Sequence, residues 1–146
     1  MEVSTESSIH FEVEESLDYT LFQQKEIKAW LSEIASNHDK ELASLEYTFC
    51  TDEKLLEVNR QYLDHDTYTD IITFPLNNDP IEACIYISVD RVKENAQLYK
   101  ATFVDELHRV IVHGLLHLIG YNDKTNEENK SMRDAEDNCL SLRSFI

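Results

Sequence analysis

Both glycines of this chain, Gly114 and Gly120, fall inside one stretch, His113-Gly-Leu-Leu-His117-Leu-Ile-Gly120-Tyr-Asn-Asp123. His113 and His117 are four residues apart, so on a helix their imidazoles lie one above the other on a single face. Two imidazoles placed this way can grip one metal ion from one helical turn. Gly120 stands where such a helix would end in a left-handed cap, and the reversal after it can bring Asp123 back as a third ligand. Three protein donors with a fourth position open is the arrangement of a catalytic zinc site. The rest of the chain is read as the scaffold for that site.

The scaffold follows from hydrophobic periodicity. Ile9 to Glu14 and Leu45 to Cys50 alternate as half-buried strands, and Asp70 to Phe74 and Cys84 to Ser88 read as two more. The third strand is expected to stop at Pro75, with Asn77-Asn78-Asp79-Pro80 as a turn. Helices are expected over Phe22 to Asn37, from Thr51 or Asp52 through Leu63, and over Asp90 to Tyr99. The second helix carries Leu55, Leu56, Asn59, Tyr62 and Leu63. A long apolar helix begins near Thr102 and runs to Ile119, with Phe103, Val104, Leu107, Ile111, Leu115 and Leu118 at buried spacing. Thr125-Asn126-Glu127-Glu128 matches a capping box and opens a last helix, acidic outside, with Met132, Ala135, Cys139 and Leu142 inside. The order predicts one α+β domain over residues 1–146, about four strands in a mixed sheet covered by about five helices.

Composition narrows the function. The 13 basic residues against 29 acidic ones give a formal net charge of −16, which opposes any general affinity for nucleic acid. Three widely spaced cysteines without a CxxC pair fit free thiols in a reducing cytosol. An acidic N-terminus without an apolar core argues against a signal peptide, and no apolar run approaches membrane-spanning length. A cytoplasmic protein with no membrane or DNA partner is expected.

The spacing H-x3-H-x2-G-x2-D mirrors that of the metzincin proteases, with one decisive difference. Those enzymes carry a glutamate as general base directly after the first histidine; here that position is Gly114, which cannot take a proton. Glu106, two turns before His113 on the same face, is a candidate base or supporting group, though a surface glutamate is the plainer reading. Arg109, one turn before His113, points toward the same side and is a candidate phosphate contact; otherwise it pairs with nearby acids. His65 between two aspartates reads as a solvated loop residue, and His108, rotated away from His113, as a packing or surface residue.

The stretch from His113 to Tyr121 resembles the HGxLHLxGYDH signature of the YbeY family of bacterial endoribonucleases. Weaker agreement covers most of the chain: Asn59 to Pro75 (NRQYLDHDTYTDIITFP) is similar to the family's N-x-x-Y-R-x-x-D-x-P-T-D-V-L-S-F-P segment. The resemblance implies a zinc-bound, single-strand-specific endoribonuclease acting in 16S ribosomal RNA 3′-end maturation and ribosome quality control, with His113, His117 and Asp123 as metal ligands. Two departures stand out. The family pattern most often has histidine where this chain has Asp123, still a good zinc ligand. The arginine after the family's tyrosine is Leu63 here, with Arg60 its nearest replacement. Recognition is expected to rest on a local groove (Arg60, Arg91, Lys93, Arg109) and on docking to the small ribosomal subunit or a ribosomal protein. A peptide-cleaving metallohydrolase and a non-catalytic assembly factor with a structural zinc stand as alternatives.

Overall fold

A computed structural model describes residues 8–64 and 67–146; His65 lies outside the described residues. Four strands, β1 (Ile9–Val13), β2 (Leu42–Cys50), β3 (Ile71–Asn78) and β4 (Ile81–Ser88), form one sheet in the order β1-β2-β4-β3. β1–β2 and β2–β4 are parallel, and β3–β4 is an antiparallel hairpin. Among the described residues five helices pack on it: α1 (Gln24–Asn37), α2 (Asp52–Leu63), α3 (Val89–Leu98), α4 (Phe103–Ile119) and α5 (Asn126–Ser141). The mixed α+β architecture is the one expected.

Strand alternation sorts side chains to two cores. Leu45, Tyr47, Phe49, Ile85 and Ile87 face the main core, which they share with α1, α4 and α5. Cys50, Ile72 and Tyr86 face the other way, against Leu55 and Val58 of α2. Two buried side-chain bonds lock the main layer. Tyr47 Oη donates to the Ile111 carbonyl of α4 at 2.8 Å, and Trp30 Nε1 donates to the Cys139 carbonyl of α5 at 2.8 Å.

The expected boundaries fail at the hairpin. β3 does not stop at Pro75 but continues to Asn78, and β4 starts at Ile81, so the turn shrinks to Asp79-Pro80. Proline is tolerated because β3 is an edge strand, where its missing N–H breaks no ladder bond; the register shifts between Pro75 and Asn77. Tyr62 and Leu63 are 63% and 40% exposed rather than packed, and Val58 takes the inner position. Leu142 lies beyond the end of α5 and is exposed, whereas Glu136 is buried among the inner residues of that helix.

α4 is the central helix. The Thr102 hydroxyl caps it by accepting from Asp105 N–H at 3.1 Å. Gly114 packs it onto the hairpin: a β-carbon there would stand 3.0 Å from Ile85 Cδ1 and 3.1 Å from Ile71 Cδ1. What comes close to the glycine is thus the sheet. Gly120 closes the helix with φ of +130°, wider than the left-handed cap expected, and its N–H reaches the carbonyls of Leu116 and His117. None of the described helices is long and apolar enough to cross a membrane.

Candidate metal centre

The last two turns of α4 carry His113 and His117 on one face, with ring centroids 4.8 Å apart and planes nearly perpendicular. After Gly120 the chain turns back, and Asp123 Oδ2 comes to 3.2 Å from His117 Nε2 and 3.4 Å from His113 Nε2. The donor atoms of all three lie within 4.8 Å of one another, a group that could hold a metal ion. Tetrahedral zinc with bonds of about 2.0–2.1 Å sets its donors about 3.3 Å apart, close to the two nitrogen–oxygen separations seen. The donor chemistry agrees. Two Nε2 atoms turned on one carboxylate oxygen need a cation or protons among them, because lone pairs facing lone pairs repel.

Behind His113 stands a residue that the sequence reading passed over. Glu136 Oε2 lies 2.7 Å from His113 Nδ1, and Glu136 Oε1 accepts from Arg109 Nη1 at 2.9 Å. Arg109 Nη2 also donates to Asp137 at 2.6 Å. Burial alone would lower the His113 pKa. The bond from Glu136 and the negative charges of Glu136, Asp123 and Asp70 outweigh that, and the net shift is upward. A signal for Glu136 was present: it stands four residues after Met132 and three before Cys139, the spacing of an inner helical stripe.

Two cavities meet at His113 and Asp123. The larger, about 580 Å³, runs along β3 past Asn59, Leu63, Thr69 and Thr73 to His117. The smaller, about 400 Å³, is walled by Asn95, Tyr99, Glu106, Arg109, Arg133 and Glu136. Asp70, His113 and Asp123 line both. Asp70, also unrecognised from sequence, accepts from Asn95 Nδ2 at 3.1 Å; burial raises its pKa against the lowering charge of His113. Glu106 is not a surface residue: it is buried in the cavity wall, and desolvation raises its carboxyl despite the lowering charge of Arg109.

The expected basic groove is only partly assembled. Arg109 lines the smaller cavity, joined by Arg133. Arg91 instead pairs with Asp52 at 2.7 Å and Glu94 at 3.2 Å. Arg60 sits exposed on the last turn of α2, between Asn59 and Leu63 of the cavity wall, and lines neither cavity itself. His108 is a packing residue, buried between Trp30 and Phe145, with Nδ1 accepting from Arg143 at 2.9 Å. Gly114 leaves a protease-type glutamate little space, since a β-carbon there would already press on the δ-carbons of Ile71 and Ile85.

Known proteins match this chain along nearly its whole length. The family model described as Endoribonuclease YbeY matches residues 9–143. A protein of Cytophaga hutchinsonii named Endoribonuclease YbeY is 53% identical over 142 residues, 96% of this chain and 99% of its own. One of the same name from Bacteroides thetaiotaomicron is 47% identical, covering 83% of this chain and 89% of its own. Among solved structures, the solution structure of TM1509 from Thermotoga maritima superposes with a TM-score of 0.66 at 27% identity, covering 91% of this chain and 87% of that one. With its histidine pair, its glycine turn and this breadth of similarity, the chain belongs to the YbeY endoribonuclease family.

Proposed function

We propose that the protein is a metal-dependent endoribonuclease that cuts single-stranded RNA, with zinc as its ion. We further propose that it acts on the 3′ end of small-subunit 16S ribosomal RNA, in maturation and late quality control, in the cytoplasm and in contact with the small ribosomal subunit or one of its proteins. The observation that carries the reading is the convergence of His113, His117 and Asp123 where two cavities meet, in a chain whose relatives are named endoribonucleases.

His113, His117 and Asp123 would hold a divalent cation, which when bound would supply Lewis acidity toward a phosphodiester and a water. Three protein donors, one short of a closed tetrahedral site, is the count of catalytic rather than structural zinc. The residues around it divide the remaining work. To Glu106 and Asp70, carboxyls raised by burial in the cavity walls, the proposal assigns the taking up and return of a proton. Arg109 spends two of its five N–H donors on Glu136 and Asp137, which leaves three for a phosphate oxygen. Arg60, outside the cavity, would meet RNA that runs past Leu63.

The test pairs chemistry with cells. The purified protein should cut a single-stranded RNA oligonucleotide, lose the activity to a chelator, and regain it with zinc. His117→Ala should lose both bound metal and 16S 3′-end maturation. Normal 3′ ends in cells carrying only His117→Ala would overturn the metal-catalytic reading.

A further inference from the structure

Glu136 is an acid on the inner face of α5, its side chain 7% exposed. A carboxylate so placed is costly unless each oxygen is matched, and each is. Oε1 takes the Arg109 guanidinium at 2.9 Å and Oε2 meets His113 Nδ1 at 2.7 Å. Arg109 is held in turn by Asp137, the next residue of α5. A carboxylate can only accept, so Nδ1 of His113 must carry the proton. The Nε2 lone pair is then left facing His117 and Asp123. His117 has no equivalent support: among the described residues nothing bonds its Nδ1, and its only polar partner is Asp123.

We propose that Glu136 is the positioning residue of the metal centre. It fixes His113 as the Nδ1–H tautomer and turns Nε2 to the ion, and Arg109 holds Glu136 at that task. Affinity for metal is thereby set from α5, a helix that contributes no ligand. The proposal rests on the metal reading given above and adds to it which histidine is prepared in advance. A carboxylate behind a ligand imidazole fixes its orientation and raises its basicity, and removing such a partner weakens metal binding about 10–100-fold.

The experiment uses the full chain as wild type, Glu136→Gln and Glu136→Ala. In metal-free protein at alkaline pH, nitrogen-15 NMR of the histidine rings should show His113 as the Nδ1–H tautomer in wild type. Glu136→Ala should move it toward Nε2–H. Competition against a chromophoric chelator should show zinc affinity falling about 10–100-fold in Glu136→Ala, and less in Glu136→Gln, whose amide oxygen still accepts from Nδ1. A residue that merely tied α4 to α5 would change the melting temperature and leave tautomer and affinity alone. Wild-type His113 found as Nε2–H, or either folded variant binding zinc like wild type, overturns the proposal. If Glu136→Ala fails to fold, Glu136→Gln and the wild-type tautomer still decide it. A wild type that binds no zinc refutes the metal reading instead, while the metal-free tautomer judges Glu136 on its own.

Discussion

Acidification should destabilise the metal-free protein through one residue far from its chemistry, His108. This imidazole is 2% exposed, wedged between Trp30 at 5.7 Å and Phe145 at 5.6 Å. Its Nδ1 must keep a lone pair to accept from Arg143, whose guanidinium also holds Asp105 at 3.0 Å. Burial, and then the charge of Arg143, push its pKa down to about 4 from 6.5, with Asp105 pulling weakly the other way. The sign follows. Between those two values the unfolded chain binds a proton that the folded one refuses, so stability falls as pH falls from about 6.5 and levels off below about 4. A gap of about 2.5 pH units corresponds to about 3 kcal/mol, a large share of the ~5–15 kcal/mol that holds a domain together. Urea unfolding across that pH range, on chelator-treated protein, gives stability against pH. His108→Gln keeps an acceptor for Arg143 but cannot titrate. It should be less stable at neutral pH, having lost its ring contacts, and its pH curve should be flatter by about 3 kcal/mol. The difference between the two curves cancels the carboxylates and His113, which titrate in both proteins. Parallel curves would refute the reasoning, because a buried, neutral His108 cannot leave the linkage unchanged.

Other substitutions probe the site and its frame. Gly120→Ala meets no atom within 4 Å, so its whole effect is the strain of φ +130°, about 1–3 kcal/mol; the melting temperature should drop and zinc affinity with it, since this turn delivers Asp123. Asp123→Ala should lose zinc in a chelator-competition assay, while Asp123→His, which supplies the donor most usual in the family pattern, should keep it. Tyr47→Phe removes the buried bond to the Ile111 carbonyl and should cost about 1 kcal/mol in chemical unfolding, without altering metal binding. With a net charge of −16, the pure protein should bind naked RNA weakly and with a shallow salt slope in a filter or anisotropy titration; tight binding that collapses with salt would contradict this.

What could be read from sequence and what could not divide along one physical line. The gathering of His113, His117 and Asp123 was legible because it is local: two on adjacent turns of α4 and the third just past the cap that ends it. Helix starts at Thr51, Thr102 and Thr125 were legible for the same reason, since an N-cap and a capping box act over three residues. The strand through Pro75 was not, because whether a missing N–H matters depends on β3 lying at the sheet edge. Burial of Glu106 was hidden likewise, as was which acids Arg109 would pair with, since both follow from how α4, α5 and the hairpin pack. Glu136 falls between the two cases. It lies 23 residues from His113, yet its place on the Met132–Cys139 stripe marks it as inward-facing. An acid at an inner position needs a partner of opposite charge or a donor, and the long helix offered both, with Arg109 and His113 one turn apart. An acid in the apolar stripe therefore marks a contact between α5 and the histidine face of α4, and it is the contact that joins the local part of this site to the fold.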